Sequence, residues 1–293
     1  MRIDAHIHHY PPEICKNPSA WADAHQELYW KSLVTDTEQN KSLQAWASTE
    51  KLLADMDAAQ VDYAILLGWY WKHPQSCTFQ NQWHAQCVKE NPQRLKAFAS
   101  VQPAAGKQAL EDLEKAVDQG LCGIGEVFPQ AQGFSMQDPT WLSIVEWAIE
   151  QDLPINMHVT EPVGHDYAGK THCSFQDYEW LAKTYPELKL ILAHWGGGLA
   201  FYELNSSFAK TCKNVYYDTA ASPLLYKPNI YKIAAEIVGA DKILFGSDYP
   251  LKAYPKDPSA PNFTRPIEEV LSSGLDKEPT DKILGNNAQK LFF

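Results

Sequence analysis

Met1-Arg2-Ile3-Asp4-Ala5-His6-Ile7-His8 opens the chain. Apolar and polar residues alternate over Ile3–His8, the period of a β-strand, so Asp4, His6 and His8 project from one face. Two imidazoles on one rigid face are half of a zinc-type donor set. A lone His-X-His is a common pattern, and its meaning depends on what the rest of the chain places beside it.

Short apolar strands alternate with longer amphipathic stretches almost from end to end. Strands are expected at Ile3–His8, Tyr63–Trp69, Leu95–Val101, Gly123–Phe128, Pro154–Val159, Leu188–His194, Val215–Thr219 and Ile243–Asp248. After the first gap they begin about 27 to 34 residues apart, the length of a βα unit. Helices are expected at Glu50–Ala59, Gln108–Gln119, Trp141–Gln151 and Ile230–Val238; Ala109, Leu110, Leu113, Ala116 and Val117 repeat at helical spacing. Eight parallel strands with crossover helices predict an α/β fold, a (β/α)8 TIM barrel, as a single domain over residues 1–293. A doubly wound open sheet is the rival, and the even spacing of the units favours closure. Residues 9–47 break the rhythm as a long loop insertion after strand 1, carrying Tyr10, Trp21, Tyr29, Trp30 and Trp46. Residues 249–264, rich in proline, break it again. In a barrel both would emerge at the C-terminal face and shape a site.

The strand ends carry the chemistry. Strand 1 offers His6 and His8, strand 4 Glu126 in Gly-Ile-Gly-Glu, strand 5 His158, strand 6 His194, and strand 8 Asp248 in Phe-Gly-Ser-Asp-Tyr-Pro. In a barrel these six converge on one mouth. Any one could be a hydrogen-bonded polar residue of the core; six at matching strand ends point to a divalent metal. A cation bound by neutral imidazoles and carboxylates lowers the pKa of its water towards neutrality. Asp248 would then carry a proton, and His194, if off the metal, would stabilise a developing oxyanion.

These motifs, in this order, resemble the amidohydrolase superfamily in its amidohydrolase-related, metal-dependent hydrolase branch. His-X-His, His158, Ala-His-Trp-Gly-Gly-Gly around His194, Gly-Ser-Asp-Tyr-Pro around Asp248 and the closing Ile-Leu-Gly-Asn-Asn-Ala-Gln-Lys-Leu-Phe all match. The resemblance implies one or two divalent metals, zinc first, with manganese, iron or nickel also suited to these ligands. Gly-Ile-Gly-Glu is similar to the strand-4 glutamate of TatD-type deoxyribonucleases, which implies that Glu126 bridges two metals, one on His6, His8 and Asp248, the other on His158 and His194. In the layout of the related aminocarboxymuconate-semialdehyde decarboxylases a single metal would sit on His6, His8, His158 and Asp248, with His194 touching bound water. Both stay open, the two-metal layout being the leading expectation. The resemblance implies hydrolysis of a small lactone, ester or amide as the main activity. The alternative is nonoxidative decarboxylation of an aromatic or unsaturated acid. A reading of another class is a metal-holding binding protein without turnover.

Around the donors, Trp69, Glu161, His165, Trp195 and Arg265 are the substrate-binding candidates. Trp71 and Phe128 could add to an aromatic wall, and Lys252 could meet a substrate carboxylate. Asp4 could orient a ligand histidine or belong to an interior hydrogen bond; His9, on the opposite face, reads as a loop residue. Gly196-Gly197-Gly198 suggests close backbone approach beneath the metal.

The net charge of −11, with only Arg2, Arg94 and Arg265 as arginines, disfavours nucleic acid and anionic membrane as partners. Six cysteines without a C-X-X-C pair read as reduced thiols, and no leader or spanning segment stands out, so a cytoplasmic protein acting on a small molecule is expected. The aromatics of residues 9–47 could equally serve a homo-oligomer contact.

Overall fold

A computed structural model describes residues 1–37, 41–257 and 261–293; residues 38–40 of the expected insertion and 258–260 of the proline-rich segment lie outside them. Eight strands follow chain order: β1 Ile3–His8, β2 Tyr63–Leu67, β3 Leu95–Ala97, β4 Ile124–Val127, β5 Ile155–Met157, β6 Leu190–Leu192, β7 Val215–Asp218 and β8 Ile243–Leu244. They form parallel sheets ordered β1-β2-β3 and β4-β5-β6-β7-β8. Main-chain bonds cross both gaps between the sheets. Ala99 pairs with Ile124 at one, and Ile7 pairs with Tyr249 at the other, where Ala5 N–H donates to Phe245 O (2.7 Å) and Asp248 N–H to His6 O (2.9 Å). The architecture is TIM-barrel-like α/β, as the spacing predicts.

The four expected helices are present at Thr49–Ala58, Lys107–Asp118, Pro139–Glu150 and Ile230–Val238. Their starts obey local chemistry: Ser48 Oγ accepts from Lys51 N–H, and Asp138 caps a helix with Pro139 in its first turn. Their apolar faces join the strands in one large core with Ile124, Ile155, Leu190 and Ile243. A smaller core sets Ala288 and Phe292, from the closing helix Asn287–Phe292, against Ile3, Ile65 and Leu244. Among the described residues, no helix is long and apolar enough to cross a membrane, and all six cysteines are free.

Two expectations need correction. The strands are shorter than the apolar runs: β8 ends at Leu244 rather than Asp248, and β6 at Leu192 rather than His194. Beyond those points the chain leaves the ladder, turning through positive φ at His194 (57°) and Asp248 (64°). The insertion after β1 is also not loop throughout. It contains helices Pro12–Lys16, Pro18–His25 and Leu28–Val34, the first two opening on proline. Tyr10, Trp21, Trp30 and Trp46 pack there with Trp71 from the barrel, Trp30 and Trp71 with ring centroids 5.3 Å apart. The buried Glu27 accepts backbone N–H bonds from Lys72 (2.9 Å) and His73 (3.1 Å), pinning this cap to the β2 connection.

Candidate metal centre

Local irregularities aim the donors. The register of β1 against β2 shifts between Asp4 and Ile7, spanning His6, and that of β4 against β5 shifts between Ile124 and Val127, spanning Glu126. Such shifts re-aim side chains next to sites. His194 and Asp248 reach the same place from left-handed backbone, sparsely populated by residues other than glycine and concentrated at functional sites. Three glycines continue that turn, with φ of 61°, 61° and 99° at Gly196, Gly197 and Gly198.

All six of the predicted donor residues meet. His6 Nε2 lies 3.4 Å from His8 Nε2, 3.9 Å from Asp248 Oδ1 and 4.0 Å from Glu126 Oε2. His8 Nε2 is 3.4 Å from Glu126 Oε2 and 3.7 Å from Asp248 Oδ1. The other oxygen of Glu126 faces the remaining pair: Oε1 accepts from His158 Nδ1 (3.0 Å) and is 3.7 Å from His194 Nε2, itself 3.2 Å from His158 Nδ1. Two triads place their donor atoms as a cation would need them, His6–His8–Asp248 and His6–Glu126–His194.

The donor set fits a divalent metal. Tetrahedral zinc with bonds of about 2.1 Å separates its ligand atoms by about 3.4 Å, and the contacts around His8 sit at or slightly beyond that spacing. His6 Nδ1 donates to Asp218 Oδ2 (2.8 Å) and His194 Nδ1 to Ala220 O (3.0 Å), so each presents Nε2 to the centre. His8 Nδ1 is buried without a partner among the described residues. The electrostatics ask for positive charge. Burial opposes charge on His6, but Asp218, Glu126 and Asp248 outweigh it and push the imidazole up to about 10. His194 rises to about 9, burial again being overcome by Glu126 and Asp248. Burial disfavours the charged form of Glu126, yet His158 and His6 hold it well below the usual carboxylate range. A cation is what such a cluster of buried carboxylates and lone pairs accommodates.

Asp218, at the end of β7, is the residue that sequence reading passes over. The same signal that singles out Asp248, a carboxylate at the end of an apolar run, is present in Val-Tyr-Tyr-Asp. Asp4 turns out not to touch an imidazole; its Oδ1 accepts the backbone N–H of His6 (3.0 Å) and of Ser247 (3.1 Å), tying β1 to the segment that carries Asp248. His9 lies in the connection between β1 and the first helix, as expected, and is buried there, with Nε2 3.0 Å from Thr49 Oγ1.

A cavity of about 350 Å³ opens onto His8, Glu126, His158, His194 and Asp248. Trp69, Glu161 and His165 line it as expected, together with Tyr29, Tyr70 and Lys41. Trp69 meets the ring of His8 edge-on (5.0 Å) and stacks on Tyr70 (4.1 Å). Glu161 is engaged by Lys170 (3.4 Å) and accepts from Tyr167 OH (3.3 Å). Trp195 does not line the cavity. Positive φ at Trp195 turns its ring into the core, where Nε1 donates to Ser222 Oγ and the indole packs on Tyr231. Arg265 does not reach it either: it sits on the helix Thr264–Leu271, 3.4 Å from Asp257 and over the ring of Tyr254. Lys252, Trp71 and Phe128 are likewise outside the lining.

Fold and site together define a parallel α/β protein with a buried cluster of imidazoles and carboxylates that could hold a cation. The amidohydrolase family model matches residues 3–293, and the chain belongs to that family. Among curated relatives, it is 24% identical over 260 residues to gamma-resorcylate decarboxylase of Polaromonas sp., covering 72% of this chain and 74% of that one. It is 22% identical over 229 residues to 2-amino-3-carboxymuconate-6-semialdehyde decarboxylase of Dictyostelium discoideum, covering 67% of this chain and 63% of the relative. Among solved structures, the 5-carboxyvanillate decarboxylase of Novosphingobium aromaticivorans, complexed with manganese and 4-hydroxy-3-methoxy-5-nitrobenzoic acid, superposes with a TM-score of 0.73 at 16% identity, over 100% of this chain and 96% of that one.

Proposed function

We propose that the protein is a metal-dependent, nonoxidative decarboxylase of an aromatic or unsaturated acid, built as one closed (β/α)8 barrel domain over residues 1–293. The observation that carries this reading is the cavity. It is a space of about 350 Å³, enough for one substituted ring, walled by Trp69, Tyr70 and Tyr29 and floored by the donor set. The decarboxylase relatives support it. Hydrolysis, the leading expectation from sequence, is a property of the superfamily at large; neither the cavity nor these relatives favours it here.

His6, His8 and Asp248 would hold one divalent ion, with Glu126 Oε2 beside them. Both candidate triads include His6, whose Nε2 is the nitrogen facing Asp248 and Glu126, and an imidazole nitrogen has one lone pair to give. This favours a single ion over two, with His158 and His194 linked to Glu126 Oε1 by a shared proton. Manganese and zinc both suit such a ligand set. When bound, the ion would supply a Lewis-acidic anchor for the oxygens of an acid substrate. Trp69 and Tyr70 hold the ring over the floor, and Glu161 and His165 meet its far edge. The bond from carbon to the carboxyl group breaks, carbon dioxide leaves, and the carbon keeps the electron pair and takes one proton. Asp248, at the junction of donors and cavity, delivers that proton; His194, fixed through Nδ1 on Ala220, helps to hold it. A metal-holding protein without turnover would close its ligand set, whereas five donors here face a cavity.

The test is a panel of hydroxybenzoates, carboxylated vanillates and unsaturated semialdehyde acids, assayed for carbon dioxide in the headspace after manganese or zinc add-back, beside lactones, esters and amides. The reading expects carbon dioxide from at least one acid. Turnover of an ester, lactone or amide with none of the acids would replace it by the hydrolase.

A further inference from the structure

The structure assigns to Asp218 the role of a positioning residue that sets two metal-facing histidines at once, a role that rests on the metal-centre reading. Its carboxylate is fully buried and receives four donors. Oδ2 accepts from His6 Nδ1 (2.8 Å) and Asn156 Nδ2 (3.0 Å); Oδ1 accepts from the backbone N–H of His194 (3.0 Å) and of Ala220 (3.1 Å). An ionised carboxylate offers about four lone-pair sites and no proton, so every partner on one side of this contact is a donor and every site on the other an acceptor. The Oδ2 pair fixes which nitrogen of His6 carries hydrogen and therefore turns Nε2 to the ion. The Oδ1 pair holds the left-handed turn at His194 and the Ala220 loop, whose carbonyl accepts from His194 Nδ1. One carboxylate on β7 thus couples a donor on β1 to a donor after β6.

The four-donor arrangement gives a specific consequence for Asp218→Asn. The amide must place its NH2 against two donors. At the Oδ1 position these are backbone N–H groups, which cannot change. At the Oδ2 position both neighbours can adapt. The amide of Asn156 can flip, bringing its Oδ1, buried and unpartnered as it stands, onto the new NH2. His6 can move its hydrogen from Nδ1 to Nε2 and accept at Nδ1. The contacts of position 218 are then satisfied, with Asn156 Nδ2 left where its Oδ1 now lies buried without a partner, but His6 presents N–H where the ion needs a lone pair.

Purified wild-type and D218N proteins, stripped of metal, are titrated with zinc or manganese against a chelator, and their melting temperatures are read without metal. The expected result is a loss of affinity of about 10- to 100-fold with a melting temperature within about 4 °C of wild type, and no further loss when D218N is added to H6A. Affinity equal to wild type in a folded D218N overturns the positioning role, and no affinity in the wild type removes the metal reading with it. Should D218N fail to fold, 15N-histidine spectra of the zinc-loaded wild type decide the matter: Nε2 bound with hydrogen on Nδ1 at His6 supports the role, and the opposite tautomer overturns it.

Discussion

The floor of the site and its rim are built to different standards. On the floor, His6, Glu126, His194 and Asp218 are buried and each carries at least one fixed hydrogen bond. At the rim, Lys41 is largely exposed beside Asp36 (3.4 Å), Val163 is exposed, and Glu161 answers to one lysine and one tyrosine. Buried groups whose partners are fixed by backbone and strand position hold geometry to a fraction of an ångström; exposed pairs contribute little and rearrange. On the proposed function, the floor would carry the chemistry and the rim the choice of substrate.

Substitutions at the floor should have the largest effects. Asp248→Asn removes the proposed proton carrier and should lower kcat by about 10²- to 10⁴-fold while the melting temperature stays near wild type; unchanged kcat would move proton delivery to another group. Trp69→Leu, between floor and rim, loses the aromatic face over the ring and should raise KM about tenfold, the equivalent of roughly 1.4 kcal/mol, with a smaller change in kcat. A larger effect on kcat than on KM would place Trp69 with the floor.

Behind the floor lies a third test. Burial, with repulsion from His84, pushes His9 down to about 3, and burial, with repulsion from His8, pushes His84 down to about 4, from an ordinary value of 6.5. The unfolded chain takes up protons that the folded one refuses, so stability is intact above pH 6.5 and falls as pH drops towards 4. Each histidine costs about 1.4 kcal/mol per pH unit across that window. Urea titrations at pH 7, 6 and 5 measure this; equal midpoints would mean that the pair titrates normally. The smallest effect belongs to the rim. Lys170→Met removes a largely buried partner of Glu161 and a donor to the carbonyls of Val163 and His165, and should alter the ranking of acids in the substrate panel, while Arg265→Ala, at an exposed pair with Asp257 outside the cavity, should change stability by less than about 1 kcal/mol and leave KM unmoved.

The same division explains what could be read from sequence. Donors that end apolar strands stand out because a polar group there must be buried, and all six so identified converge. Asp218 carries the same strand-end signal, but its role behind the imidazole of His6 rather than beside the cavity shows only when its four donors are in place. The helices after β1 were hidden by their aromatic content, although Pro12 and Pro18 mark their starts. Trp195 misled because it follows His194 directly; the positive φ that carries His194 inward turns its neighbour away. Rim residues such as Tyr29 and Lys41 come from the insertion, whose packing depends on contacts far apart in sequence.

Elemental analysis of the protein purified under metal-replete conditions tests the central claim most directly. The buried donor set predicts a divalent metal at about one per chain, retained through gel filtration and removed by a chelator; less than about 0.2 per chain, with no uptake on add-back, would contradict the claim that these six strand-end residues form a metal centre.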